Sequence, residues 1–253
     1  MQFRFRLRAF AFHLLGSALV LSLTLGGLFL GWYRWPGWYL TGVMTVSALL
    51  AGVDLTLGPL LTFLIANPAK PRRELARDIG VIVAAQLIAL GYGALTLWQG
   101  RPVYYAFSGN RLEVVRAFEL VAPSSPAGRA SDPALAPAWW HTPRWIWAPL
   151  PADPKAADEI MRTAVQGGAD VVDMPRYFRP WSEGLPTLRQ NLRAPDKLTE
   201  LSVAQRKFVK ARLAALGLPA DSPTTITMAG RAAPLVAVFD PSSMRMLALL
   251  FSE

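Results

Sequence analysis

No cysteine occurs among the 253 residues. That absence removes disulfides, CxxC redox chemistry, thiolate metal sites and a cysteine nucleophile, without selecting a compartment. Histidine is almost missing too, with only His13 and His141 present. A metal site needs three or four ligands, so two separated histidines supply no zinc set, and no cofactor is implied. There is no Gly-x-Ser-x-Gly elbow and no Gly-rich phosphate loop, and Asp170 and Asp173 in "DVVDMPRYF" have no histidine partner. The chain does not read as an enzyme. No repeat of fixed period is visible.

Charge is scarce where the scarcity says most. Charged residues make up 17% of the chain against 53% hydrophobic, and between Phe10 and Trp98 they are confined to Arg34, Asp54 and the cluster from Lys70 to Asp78. Three stretches of about 20 residues or more are left, each enough to cross about 30 Å of hydrocarbon. Spans are expected at 10–33, 38–66 and 79–98, with a basic loop at 67–78, so residues 1–99 form a membrane domain. The first stretch, "AFAFHLLGSALVLSLTLGGLFLGWY", is longer than a signal-peptide core and runs into Trp32, Tyr33, Trp35 and Trp38, which favours a retained helix. Arg4, Arg6 and Arg8 precede it, and Lys70, Arg72, Arg73 and Arg77 lie between the second and third spans. Lys and Arg favour cytoplasmic segments, so the N-terminus is expected inside and Gly100 outside.

Residues 100–253 then form one extracytoplasmic domain of about 150 residues, periplasmic in a bacterium. Its composition reads as α+β with terminal β-hairpins. "PVYYAFSGNRLEVVRAFEL" places two β-rich runs around Ser108-Gly109-Asn110, and "PLVAVFDPSSMRMLALLF" does the same around Asp240-Pro241. A Pro-, Ala- and Ser-rich connector, 122–137, reads as a flexible loop. Two helices are expected, one opened by Asp153-Pro154 and stopped at Gly167-Gly168, the other stopped at Gly217. On the second, Arg206, Lys207, Lys210 and Arg212 face away from Leu201, Ala204, Phe208, Ala211 and Ala215. The run "WWHTPRWIW" fits packing on the domain core, a pocket or a membrane-surface anchor. Roughly half of the net charge of +9 lies in the membrane part, where topology accounts for it, so nucleic acid is not an expected partner.

Asp54 stands alone in "GVDLTLGPLLTFLI". At 1.5 Å per residue it lies about 18 Å from the inner end of its span, too deep to reach either surface, so it should face other helices. Ser22 and Tyr92 fall at similar depth, and Gln86 nearer the cytoplasmic end. Pro59 removes a backbone bond to Leu55 and should kink the span, while Gly58 and Thr62 form a small-xxx-small spacing that lets helices approach. A structural contact, a docking point for a partner helix and a proton relay all remain open for Asp54.

"VDLTLGPLLTFLI", "NPAKPRRELARDIGVIVAAQLIALGYG" and "GRPVYYAFSGNRLEVVRAF" occur in this order. Together they resemble the TfpX/TfpZ family of type IV pilin accessory proteins, over roughly residues 10–120, through Asp54, Gly58, Pro59, Gln86, Tyr92, Arg101, Arg111 and their neighbours. Asn110-Arg111-Leu112 departs from the Asp-Arg-Phe triplet of that pattern. The resemblance implies a chaperone-like protein of the bacterial inner membrane that binds the type IV major pilin and modulates its stability, membrane pool or assembly, in contact with the pilus assembly machinery. Asp54, Gly58, Pro59, Thr62, Gln86, Tyr92, Arg101 and Arg111 are the candidate partner-binding residues. A membrane-anchored sensor or transport subunit using Asp54, and a membrane-bound hydrolase using Asp170 and Asp173, are the alternatives.

Overall fold

The computed structural model describes residues 2–231 and 234–251. The chain divides into two units, Met1–Arg34 with Gly42–Gly100, and Trp35–Thr41 with Arg101–Glu253.

The first unit is built from three helices, each long and apolar enough to cross a membrane: α1 Gln2–Gly31, α3 Val43–Ile65 and α4 Arg72–Gln99. Large apolar side chains such as Leu15, Leu49 and Ile88 point outward on all three, which suits hydrocarbon as solvent rather than water. The helices extend past the apolar stretches: α1 takes in Arg4, Arg6 and Arg8, and α4 starts at Arg72. At one end Phe63 meets the rings of Phe3 and Phe10 edge-on, and Arg6 Nε donates to the Ala66 carbonyl at 3.0 Å. At the other, the Tyr33 hydroxyl donates to the Leu97 carbonyl at 2.7 Å and Trp32 packs on Trp98. α3 continues through Pro59, whose missing N–H leaves the Leu55 carbonyl without its intrahelical donor.

The second unit is α+β. Its strands are β1 Pro102–Ser108, β2 Arg111–Arg116, β3 Arg144–Trp147, β4 Arg179–Pro180, β5 Thr225–Ala229, β6 Leu235–Phe239 and β7 Met246–Phe251. They form one mixed sheet in the order β4-β3-β1-β2-β5-β6-β7. Both terminal hairpins form: β1 pairs antiparallel with β2, and β6 with β7. Gly109 turns the first at φ 56°, and Asp240 holds the second by accepting from the Ser242 N–H at 2.8 Å and the Ser242 hydroxyl at 2.6 Å. The parallel neighbours β1/β3 and β2/β5 come from distant parts of the chain, a pairing that local periodicity does not reveal.

Alternation along the strands supplies two buried faces. Leu235, Ala237 and Phe239 of β6 join a cluster with Leu188 of α6 (Trp181–Asn191) and Leu40 of α2 (Gly37–Leu40). The segment between the first two long helices thus belongs to the core of the sheet domain. On the opposite face, Val236 and Val238 pack with Val209 and Leu213 of α7 (Val203–Ala215), and Ile146 packs in a cluster with Ile160 of α5 (Pro154–Val165).

The helix starts follow their caps. Asp153 accepts from the Lys155 N–H with Pro154 in the first turn, and Ser202 and Gln205 form a reciprocal capping box. The buried face of α7 differs from the expected one: Val209 and Leu213 go inside, while Ala204, Phe208, Ala211 and Ala215 are exposed. Val209 and Leu213 carry more aliphatic surface than the alanines, and Phe208 stays outside with the Arg212 guanidinium over its ring. Lys210, one of the expected basic face, bridges Asp196 at 2.6 Å and Asp221 at 2.8 Å. Helix α6 is not one of the two expected helices, and it carries Gly184 and Pro186, residues that disfavour a helix interior. Gly184 is there for contact: a Cβ would lie 2.6 Å from Trp147 Cγ. The connector 122–137 is pinned rather than loose, with the Ala127 carbonyl accepting from Arg176 N at 3.1 Å and the Leu135 carbonyl from the Tyr104 hydroxyl at 2.7 Å.

Candidate functional site

Within the helical unit, α3 packs against both α1 and α4, and a cavity of about 480 Å³ lies among the three. Its lining is apolar except for His13 and Ser17 from α1, Asp54 and Thr62 from α3, and Gln86 from α4. Four of these five are joined by hydrogen bonds across all three helices. Gln86 Nε2 donates to the Asp54 carbonyl at 2.8 Å and to Asp54 Oδ1 at 3.3 Å. Gln86 Oε1 lies 2.5 Å from His13 Nε2, and His13 Nδ1 lies 2.5 Å from Thr62 Oγ1.

The backbone carbonyl of Asp54 accepts only, which fixes the Gln86 amide. Gln86 must present its NH₂ there and its oxygen to His13; that oxygen needs a donor, so His13 carries a proton on Nε2, while its Nδ1 shares a hydrogen bond with the Thr62 hydroxyl. From His13 through Gln86 to Asp54 the proton donors point one way. An amide in the middle of such a chain holds protons in place rather than passing them on, so the geometry favours a fixed hydrogen-bonded element over a relay.

Gly58 makes the arrangement sterically possible. A Cβ there would collide with the Gln86 side-chain amide, and one at Gly93 would sit 2.6 Å from Leu50 Cδ1. Glycine at both places lets α3 and α4 close on each other, the behaviour expected of helices packed in lipid. Asp54 is 5% exposed and Thr62 1%, so the polar chain is enclosed by apolar walls, where an unpaired polar group costs most.

The structure brings together Asp54, Gly58, Thr62 and Gln86 of the eight candidate residues. Pro59 is buried in α3 beside them. Tyr92 is 75% exposed on the outside of α4 and Ser22 is also exposed, so neither of the expected partners at the depth of Asp54 meets it. The partner is instead Gln86, whose longer side chain reaches up from the turn below. Arg101 and Arg111 lie in the other unit: Arg101 is buried beside β1, and Arg111 opens β2 with its Nε on Glu113 Oε1 at 2.6 Å. His13 was read only as a poor metal ligand; a histidine inside an apolar helix was itself the signal that it had intramembrane partners.

The comparisons with known proteins point to pili. The chain is 32% identical over 125 residues to a fimbrial assembly protein of serogroup I from Dichelobacter nodosus, 49% of each chain. It is 30% identical over 125 residues to the fimbrial assembly protein of serogroups C1 and C2 from the same organism, covering 49% of this chain and 95% of that relative. The chain belongs to the fimbrial assembly protein family. The serogroup E1 member is 30% identical over the same length. The match spans about half the length of the serogroup I and E1 members. Their shared name is coarser than the TfpX/TfpZ resemblance drawn from the motifs. No family model matches the chain, and no solved structure does.

Asp170 and Asp173, the acids of the hydrolase alternative, are hydrogen-bonded to each other's backbone or helix. They form a capping box on the short 3-10 helix Val171–Asp173, with Asp173 Oδ2 accepting from the Asp170 N–H at 2.9 Å. Burial, helped by Glu119, Asp170 and Glu113, pushes the Asp173 carboxyl up to about 6 against that hydrogen bond. The aromatic run divides. Trp145 and Trp147 of β3 pack on the core, whereas Trp139 and Trp140 are exposed.

Proposed function

We propose that this chain is an accessory protein of type IV pilus biogenesis, which binds the major pilin in the bacterial inner membrane before assembly and does so without catalysis. The observation that carries the reading is the polar chain Thr62-His13-Gln86-Asp54 beside an apolar cavity among three membrane-length helices. Such a cavity suits an apolar helix entering sideways from lipid. Packing and hydrogen bonding must supply the affinity there, since lipid tails are as apolar as the helix. Binding of that kind is reversible, as a handover to the assembly machinery requires. The relatives named for fimbrial assembly support the pilus context. The basic residues Arg4, Arg6, Arg8, Arg72 and Arg73 favour an N-terminus in the cytoplasm and a sheet domain in the periplasm, where it would meet the pilin head.

Photocrosslinking in cells expressing the cognate pilin tests the reading. A crosslinking side chain at Val20 or Val83, which line the cavity, is expected to give a pilin adduct, and one at Leu57 or Ile88 on outward faces is not. Asp54→Leu should abolish the adduct from both cavity positions. Equal yields from all four positions, or none with the protein at normal abundance, would remove the cavity from the mechanism.

A further inference from the structure

A second polar cavity lies wholly within the sheet domain, and the pilin-helix reading does not use it. Asn110 and Arg111 at the start of β2, Arg193 and Glu200 from the chain after α6, and Thr227 of β5 line a cleft of about 400 Å³. Arg193 is anchored by two backbone hydrogen bonds with Thr225, at 2.8 and 3.1 Å, which holds its side chain over the β2–β5 junction.

Counting donors and acceptors shows what the cleft lacks. Glu200 Oε1 and the Asn110 backbone carbonyl are engaged: Glu200 Oε1 takes Arg193 Nη2 at 3.0 Å and the Thr227 hydroxyl at 2.7 Å, and the Asn110 carbonyl takes Arg193 Nη2 at 3.4 Å. The donors of the cleft are in surplus. Among the described residues Arg193 makes no hydrogen bond through Nη1, and Arg111 gives Nε to Glu113 and makes none through its two Nη groups. A guanidinium has five N–H groups in a planar fork, so both arginines retain directional donors that only an acceptor from outside satisfies.

Charge narrows the acceptor. Glu113 and Glu200 each neutralise one guanidinium, at 2.6 and 3.0 Å. The cleft therefore offers donors without a large excess of positive charge, which fits a planar monoanion better than a phosphate dianion. Its volume admits a side chain with part of the backbone that bears it. We infer that the cleft binds a carboxylate-bearing segment of a partner protein, an Asp or Glu side chain presented on an extended peptide. The source rests on the partner-binding role proposed above; the chemistry rests on the cleft alone.

The test uses the full chain in nanodiscs of zwitterionic lipid and three labelled, end-blocked hexapeptides of glycine and serine, carrying a central glutamate, glutamine or phosphoserine. The glutamate peptide should bind about tenfold more tightly than the glutamine one by fluorescence anisotropy. Arg111→Gln, at a partly exposed position, should lose that preference with unchanged melting, and Arg193→Lys, which keeps the charge but removes the planar fork of donors, should weaken it. Equal binding of the glutamate and glutamine peptides, no binding up to millimolar concentration, or indifference to Arg111→Gln overturns the inference. Tighter binding of the phosphoserine peptide overturns the carboxylate assignment. If the peptide fails while the Val20 and Val83 adducts form, the cleft falls and the pilin-helix reading stands.

Discussion

Gly58→Ala is the sharpest probe of the bundle, because the structure gives both its cost and its cure. The new methyl group would collide with the Gln86 amide, and the side chain has to leave. Leaving breaks three hydrogen bonds, to the Asp54 carbonyl, to Asp54 Oδ1 and to His13 Nε2. Side-chain hydrogen bonds between membrane helices average about 0.6 kcal/mol and reach about 1.7. The three together therefore come to about 2 kcal/mol, with some further loss from helix separation. In a Gln86→Ala background the obstruction is gone, and Gly58→Ala should be neutral or slightly stabilising through helix propensity. The readout is a double-mutant cycle on bundle unfolding in bicelles, by steric trapping through biotin on two introduced cysteines, which are unique in a chain that has none. A coupling near zero, with Gly58→Ala costing the same in both backgrounds, would refute the packing account of Gly58.

Leu40→Ala should destabilise the sheet domain by about 2 to 5 kcal/mol, because Leu40 is fully buried in its core; limited proteolysis and thermal melting of the full chain report it. For Asp173, a folded-state value of about 6 above the ordinary 3.8 means the folded state binds the extra proton between those values, so stability falls as pH rises through that window. Asp173→Asn should flatten this dependence and stabilise the domain at pH 7.5 by about 1 kcal/mol, after allowing for the solvent that reaches the carboxyl; thermal melting across that pH range measures it. The Asp240 carboxyl has the opposite sign, held down to about 2 by hydrogen bonds from Ser242 and Ser243, so its contribution to the β6–β7 turn is lost as pH falls from about 4 to about 2; hydrogen exchange at the turn should show the loosening. Replacing exposed Trp139 and Trp140 with serine should leave the melting temperature within about 1 °C, whereas Trp145→Ala should lower it by several degrees.

The helical unit was largely legible because twenty-residue apolar runs have one physical meaning. That Asp54 faces other helices was legible as well; its partner was not. Counting along helices gives a level but not a direction, and Gln86 reaches the acid from a neighbouring turn while Tyr92 at the right level faces outward. In the sheet domain the two hairpins and the capped helices α5 and α7 could be read from local signals. The middle could not: β3 and β5 find their parallel neighbours far away in sequence, and the Gly184 that makes α6 look broken is required by Trp147. The resemblance directed attention to Arg111 without saying what it faces; Arg193, its neighbour in the cleft, is 82 positions further along the chain and nothing local singles it out.

Leu40 changes what it means to isolate the sheet domain. A fragment starting at Arg101 would contain every strand among the described residues yet lack a core residue contributed by the segment between the first two long helices. Such a fragment would fold around a hole, and its failure to bind a partner would say little about the intact protein. A grafted copy of Trp35–Thr41, or a fragment with that segment supplied in trans, is the smallest soluble piece from which a negative result would be worth having. The same dependence gives the cell an order of assembly, since this strap is synthesised well before β5 and β6, whose side chains it packs against.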